Sequence, residues 1–453
     1  MNNRISELLS EYDDILESPI SMEMTNQPIN VYEGEFTLKD DTDEIKLIGK
    51  IEYRWLPHKG VIFYGKSIEK SEKIMKLINT IGYFDVICDE HNLGKGFISN
   101  FNIDDQITIK GVFHFEAIFG DKTIAVDKIK FCVPNFREFS GGIVKKIDNT
   151  FSGSFKSRII LDNDKYSIVI DKCLNYKMSV DLLNESGGYL ILYSGELKVK
   201  KGTLTFQSSK EILHCLSVFL SFLNGKRTSA LFIHGIYKDN VLWLDYSNYH
   251  ADSYDKLTSW TNSHSIEGFN ELWQVFSNKW KDENHKDVLN SVIHWYMECN
   301  KGSGFIEGSI IMAQTALELL YNWYIVENKK LLIGKDSENI NASNKIRLLI
   351  SQLNINYDVP KRFTSLQNFL KSEKLSDAPE AVVQIRNAIV HSQEEKRIKL
   401  SKIEDRAKQE ALELCIWYIE LTLLKVLNFK GNYCNRCSDH RFTSGKVERL
   451  PWN

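Results

Sequence analysis

The apolar residues of this chain change their spacing once, near residue 255, and that change restricts the fold more than any composition value does. Between residues 37 and 248 the runs 45–55, 61–64, 106–115, 123–133, 189–193, 203–207 and 241–246 alternate or are β-branched, with Gly, Asp, Asn and Lys turns between them. Such runs read as strands. One helical pattern, 210–223, interrupts them. Residues 245–265 are crowded with Asp, Asn, Ser, Tyr and Lys and mark a boundary. Beyond it the spacing is that of helices, expected over 267–281, 286–299, 305–327, 343–353, 377–393 and 402–428. The fold class read from this is α+β: a β-rich domain at 1–255, an all-α bundle at 260–430 and a tail at 431–453.

Local signals place two helix starts and one stop. Asp377 with Glu380 three residues on and Pro379 between them opens one helix, and Ser401 with Glu404 reads as a capping box for the next. Gly431 lies where a left-handed residue is wanted after the last helix.

At 453 residues the chain is long enough for two or three cores. Its net charge of −3 gives no overall field to gather nucleic acid, and the split is uneven: +2 from Trp260 onward, −5 before it. Any nucleic-acid contact must be local. The first residues lack the apolar core of a signal peptide and no apolar run is long enough to span a bilayer, so the expectation is a cytoplasmic chain without a membrane partner. Six of the eight Cys sit singly among apolar neighbours, as small core residues do in a reducing compartment. Ile62 with Tyr64, and Phe113 with Phe115, read as sheet core, and His58, His91, His114 and His214 as structural.

The most specific chemistry is Arg386-Asn387-Ala-Ile-Val-His391. Arg followed by His after four positions is a weak pattern by itself; a similar pair, Arg227 and His234, falls on a short strand and is set aside. On a helical wheel Arg386 points into the arc formed by Val383, Ile385, Ile389 and Val390, so its guanidinium needs an anionic partner, a carboxylate or a phosphate. Asn387 and His391 lie one turn apart on the other side, which makes a second copy of the chain the economical cover for that face. These residue types suit RNA scission by the ribose 2′-OH without a metal or other cofactor. Imidazole moves the proton, the planar guanidinium neutralises the phosphorane oxygens, and the amide orients the imidazole or the scissile phosphate. The competing reading makes Arg386 and His391 ordinary packing residues.

Glu318, in line with Gln314 and Asn322 on the 305–327 helix, is a candidate to hold Arg386 in place. Lys396, Arg397, Lys399 and Lys402, followed by Arg406 and Lys408, form a basic cluster after His391 that can take an RNA backbone. In the tail, Cys434, Cys437 and His440 offer half of a zinc site, but no second half with matching spacing follows. A docked tail with free thiols and no metal is preferred.

A helical domain with Arg-Asn-Ala-Ile-Val-His in its penultimate helix, then a long final helix, resembles the HEPN ribonuclease superfamily. The β-rich first half and the tail ending Val447-Glu-Arg-Leu-Pro-Trp452 resemble its ApeA type of anti-phage proteins. The resemblance implies a metal-independent endoribonuclease of abortive phage defence acting on tRNA or other structured RNA. It also implies Arg386 and His391 as catalytic, Asn387 as the polar motif residue, a site completed across a homodimer, and a regulatory or sensor role for the domain at 1–255, which senses a phage-encoded trigger and holds the nuclease in check. In the tail it makes Tyr433, Asn435 and Arg436 the characteristic positions. A non-catalytic HEPN scaffold that binds RNA or a partner protein is the alternative.

Overall fold

The computed structural model describes residues 9–67, 82–89, 91–103, 106–148, 151–302, 304–391 and 393–452. The opening residues read above for a signal segment lie outside these. The chain divides into two compact units, Met1–Ser217 with Thr228–Asp255, and Val218–Arg227 with Lys256–Asn453. The first is β-rich and the second helical, so the class is α+β. No helix among the described residues is long and apolar enough to cross a membrane.

The first unit opens with β1 (Ile29–Lys39), β2 (Glu44–Arg54), β3 (Gly60–Ser67), β4 (Phe84–Cys88), β5 (His91–Ile103) and β6 (Ile107–Phe113). They close into an antiparallel barrel in the order β1-β2-β3-β6-β5-β4. Alternation puts Leu47, Ile51, Phe63 and Ile109 inside, all fully buried. Gly111 faces the Phe63 ring, which a Cβ at that position would strike. The same alternation turns Tyr64 outward, 39% exposed, and Phe115, beyond the end of β6, is 71% exposed, so neither is the sheet core that the sequence pattern suggested.

The rest of the unit is an eight-stranded sheet of β7 (Ile118–Gly120), β8 (Lys128–Pro134), β9 (Gly142–Ile147), β10 (Ser152–Asp162), β11 (Tyr166–Lys172), β12 (Ile191–Val199), β13 (Leu231–Tyr237) and β14 (Asn240–Asp245), ordered β7-β14-β13-β8-β12-β11-β10-β9. Helices α1 (Tyr176–Ser186) and α2 (Phe206–Asn224) lie between its strands in sequence. The strand expected at 203–207 is reduced to a single antiparallel bridge between Leu204 and Val126 before α2 starts at Phe206, where the Thr205 hydroxyl accepts from the Ser208 N–H at 3.2 Å, a local cap that the alternation hid.

The last turns of α2 count with the helical unit, where Phe219 packs edge-on against Trp273 and Phe276, and Phe222 packs on Trp260. That unit contains α3 (Phe269–Lys279), α4 (Glu283–Lys301), α5 (Ile306–Leu320), a π-helical segment (Tyr321–Asn328), α6 (Lys335–Asn339), α7 (Ala342–Ser351), α8 (Thr364–Ser372), α9 (Ala378–Val390), α10 (Glu394–Lys402) and α11 (Asp405–Val426). α4 and α11 pack on α5, and α9 lies against α5, α7 and α11. The helix expected over 305–327 therefore changes winding at Tyr321, and the basic run 394–402 is itself a helix with no buried residue. Ser401 is not a cap. Its hydroxyl donates to the Ile398 carbonyl, and Glu404 takes the N-cap of α11 with no side-chain bond. After α11 the left-handed residue is Asn428 (φ 55°) rather than Gly431.

Candidate functional site

Helix α9 carries the Arg-Asn-His motif, and its start is firmly tied. The Asp377 carboxylate accepts from the Glu380 N–H at 3.0 Å while that of Glu380 accepts from the Ser376 N–H at 2.8 Å, a reciprocal cap. Arg347 of α7 grips Asp377 through Nε at 2.6 Å and a terminal nitrogen at 2.9 Å, and this pairing holds the guanidinium even more firmly in its charged form. Ala381, Val382, Ile385 and Ala388 then bury one face of the helix. Gln314 of α5 braces it by donating to the Val382 carbonyl at 2.9 Å.

Arg386 is half-buried and borders a small cleft with Gln314, Thr315, Glu318, Lys345 and Ile346. Glu318 thus shares the cleft with Arg386, but its Oε1 takes the Lys345 ammonium at 2.6 Å. Among the described residues the partner of the Arg386 guanidinium is Asn387, whose Oδ1 accepts at 3.3 Å. No carboxylate is paired with it there. A half-buried guanidinium left to one neutral acceptor retains most of its demand for an anion.

His391 ends the helix in extended conformation (φ −89°, ψ 108°), its N–H donating to the Asn387 carbonyl at 3.2 Å. Its imidazole is exposed, as is Val390 before it. Arg386 and Asn387 are therefore brought into contact, His391 stands one turn on at the helix end, and Glu318 reaches the cleft without touching the guanidinium. The cleft holds about 40 Å³, room for two or three waters rather than a nucleotide.

The basic cluster is only partly available. Lys396 is half-buried and Arg397 and Lys402 are exposed on α10, but Lys399 pairs with Glu373 at 2.5 Å. Lys408 is buried between Glu307 at 2.9 Å and Asp405 at 3.0 Å, and Arg406 bonds Glu410 at 3.1 Å, so these two are neutralised within the fold. The set-aside Arg227 pairs with Glu298 and shares a 2.7 Å hydrogen bond with the ring of His294.

The tail is docked. Arg436, 5% exposed, donates to both oxygens of the fully buried Glu420 at 2.9 and 2.6 Å, and to Asn300 Oδ1 at 3.0 Å. The Tyr296 hydroxyl donates to the same carboxylate at 2.8 Å. Tyr433 donates to Glu448 at 2.6 Å, pinning the short β15 (Tyr433–Cys434) and β16 (Val447–Glu448) hairpin. The Cys434 and Cys437 thiols are buried, and burial pushes Cys437 well above its ordinary pKa. Among the described residues no three His, Cys, Asp or Glu are grouped to hold a metal. Lys345, whose ammonium occupies Glu318, is the member of the cleft that sequence reasoning missed; only the fold brings α7 there.

No solved structure matches the chain. Residues 121–257 match the YopA central domain and 282–448 the YopA C-terminal domain, so Arg386, Asn387 and His391 lie within the latter. Along 441 residues, 94% of this chain and 95% of the relative, the protein is similar at 27% identity to the SPbeta prophage-derived uncharacterized protein YopA of Bacillus subtilis (strain 168).

Proposed function

We propose that the helical unit is a HEPN-type endoribonuclease that cleaves tRNA or other structured RNA without a metal, in abortive defence against phage. The observation that carries this reading is the Arg386 guanidinium, which shares a half-buried position with Asn387 and has no carboxylate paired to it among the described residues. A scissile phosphate supplies the missing anion. His391 takes the proton from the ribose 2′-OH, O2′ attacks phosphorus, and the P–O5′ bond breaks as the His391 imidazolium returns that proton to O5′. The products are a 2′,3′-cyclic phosphate and a 5′-hydroxyl. Because the cleft is too small for a nucleotide and Val390 and His391 face solvent, the reading includes a second copy of the chain closing the site over α9. Control by a phage-encoded trigger belongs to the same proposal. The relative's prophage origin fits a part in contests between phages and their hosts.

The small cleft also suits the alternative, a non-catalytic HEPN scaffold that binds RNA or a partner protein. The test is incubation of the purified chain with bulk tRNA in excess EDTA, with and without co-expressed phage proteins. Cyclic-phosphate ends that vanish with Arg386→Ala and with His391→Ala support the nuclease. Retention of tRNA without cleavage, and no toxicity on co-expression, supports the scaffold.

A further inference from the structure

The outer wall of the barrel carries a second feature, in the more acidic half of the chain. Register places Lys50 opposite Tyr64, Tyr64 opposite Lys110 and Lys110 opposite Asn100, one continuous row across β2, β3, β6 and β5. Lys66, two residues from Tyr64 on the same face, stands opposite Ile48 and Thr108. Lys46 is matched to Glu35 at 3.6 Å and Lys50 to Glu52 at 2.9 Å. Lys66 and Lys110, both exposed, have no carboxylate within ion-pair distance among the described residues. Like charges set this close repel, and folding alone gives no reason to leave them unmatched.

Phe97, opposite Val112 on the next row, is 40% exposed and begins a chain of rings. Its centroid is 6.4 Å from that of Tyr83, Tyr83 is 4.4 Å from His114, and His114 is 4.1 Å from Phe115. Tyr83 is 53% exposed and Phe115 71%. Phe115 also holds a left-handed backbone (φ 64°), a conformation a bulky residue adopts at a cost. A folding core gains nothing from an aromatic held out in water under strain.

We propose that this barrel face binds single-stranded nucleic acid, with bases stacked on Tyr64 and on the Phe97–Tyr83 rings and the backbone phosphates on Lys66 and Lys110. Exposed rings serve every base because each has a π-face, and unmatched lysines beside them supply the charge that a phosphate chain lacks. An acidic protein segment would use the lysines but has no use for the bare rings. Duplex RNA hides its bases and would use neither ring. Binding here is independent of any chemistry at His391.

The experiment uses the full chain carrying His391→Ala, so that cleavage does not consume the probe, and a fluorescein-labelled oligouridylate of about 16 residues read by anisotropy. The oligothymidylate of equal length separates RNA from DNA, both of which satisfy the proposal. Tyr64→Ala weakens binding roughly 5- to 150-fold, whereas Tyr64→Phe, which keeps the ring, leaves it within about twofold. Lys66→Glu with Lys110→Glu weakens it and lowers the slope of log K against log salt by about 1.4, two phosphate contacts' worth. Matched melting curves establish that the surface variants are folded. Binding that survives both Tyr64→Ala and the lysine reversal belongs to another surface and overturns the proposal, as does the absence of binding. Equal affinity for an RNA duplex, or equal competition by polyglutamate, overturns it too. Failure of EDTA-resistant cleavage by the unmutated chain, by contrast, strikes the nuclease alone.

Discussion

The Arg436–Glu420 pair gives the sharpest stability prediction. Both side chains are all but sealed from water, joined by two hydrogen bonds at 2.9 and 2.6 Å, with Tyr296, Asn300 and the Thr258 carbonyl filling the remaining valences. Removing one charge strands the other in a low-dielectric interior, which costs about 3–5 kcal/mol. Arg436→Met and Glu420→Leu alone are therefore each expected to lose that much. Together they remove both charges and leave three neutral neighbours short of a partner at about 1 kcal/mol each, so the double variant loses roughly 1–3 kcal/mol, less than either single change. With a urea slope of about 2 kcal/mol/M, each single shifts the helical-signal midpoint by about 2 M and the double by about 1 M. Losses that simply add in the double variant, or singles costing under about 1 kcal/mol, would refute a buried, mutually dependent pair and with it the docked tail.

Other outcomes follow from single contacts. His234 on β13 has its ring Nε2 buried with no hydrogen bond among the described residues, and burial, aided by Lys130, lowers its pKa to about 4. A base whose folded pKa lies below its unfolded value stabilises the fold fully above about pH 6.5 and loses that contribution as pH falls from there to about 4. The loss is roughly 1–3 kcal/mol after discounting for partial exposure, and melting temperatures of the parent against His234→Phe across that window read it. Asp377→Ala removes the α9 cap and strands Arg347, lowering stability by about 1–2 kcal/mol in urea titrations, while Asp377→Asn recovers most of the cap. Lys345→Met frees the Glu318 carboxylate in the cleft it shares with Arg386. On the nuclease reading tRNA cleavage falls about tenfold or more and returns when Glu318→Gln is added; an unchanged rate removes Glu318 and Lys345 from the site.

Features written within a few residues of each other were legible; those set by packing were not. The change of period near 255 announced strands before it and helices after it because a side chain's face depends only on its neighbours' spacing. The Asp377 cap was legible for the same reason. Ser401 shares that cap's signature but lies inside α10, whose presence the charged run 394–402 hides because none of its residues is buried. Alternation marked two faces of β3 without saying which was inside. Phe63 and Gly65 face the barrel axis because Gly65 and Gly111 together make room for rings there, and that leaves Tyr64 to the solvent. Nor does the chain's spacing reveal that Phe219 and Phe222 draw the end of α2 into the helical unit, since their partners Trp260, Trp273 and Phe276 come about forty residues later or more.

The same distinction separates the two functional proposals. The wheel argument held that a guanidinium amid apolar residues must find an anion, and Glu318 was the nearest candidate in the sequence pattern. The fold supplies a reason it does not serve: α7 delivers Lys345 to Glu318 at 2.6 Å, so the carboxylate in the cleft is already matched. One amide acceptor at 3.3 Å then stands where an ion pair was required. Arg386 and the Lys66–Lys110 pair are alike in this respect. Each is a cation that the described part of its own unit leaves unmatched, and on the two proposals phosphate would answer both, at one site as an RNA linkage held near His391 and at the other as a strand whose bases find Tyr64 and Phe97. If nucleic acid is the common ligand, charge reversal on the barrel and Arg386→Ala should weaken RNA retention by separate factors that multiply, their free energies adding, because the two sites share no residue. Retention governed wholly by one of them would assign the other a purely structural role.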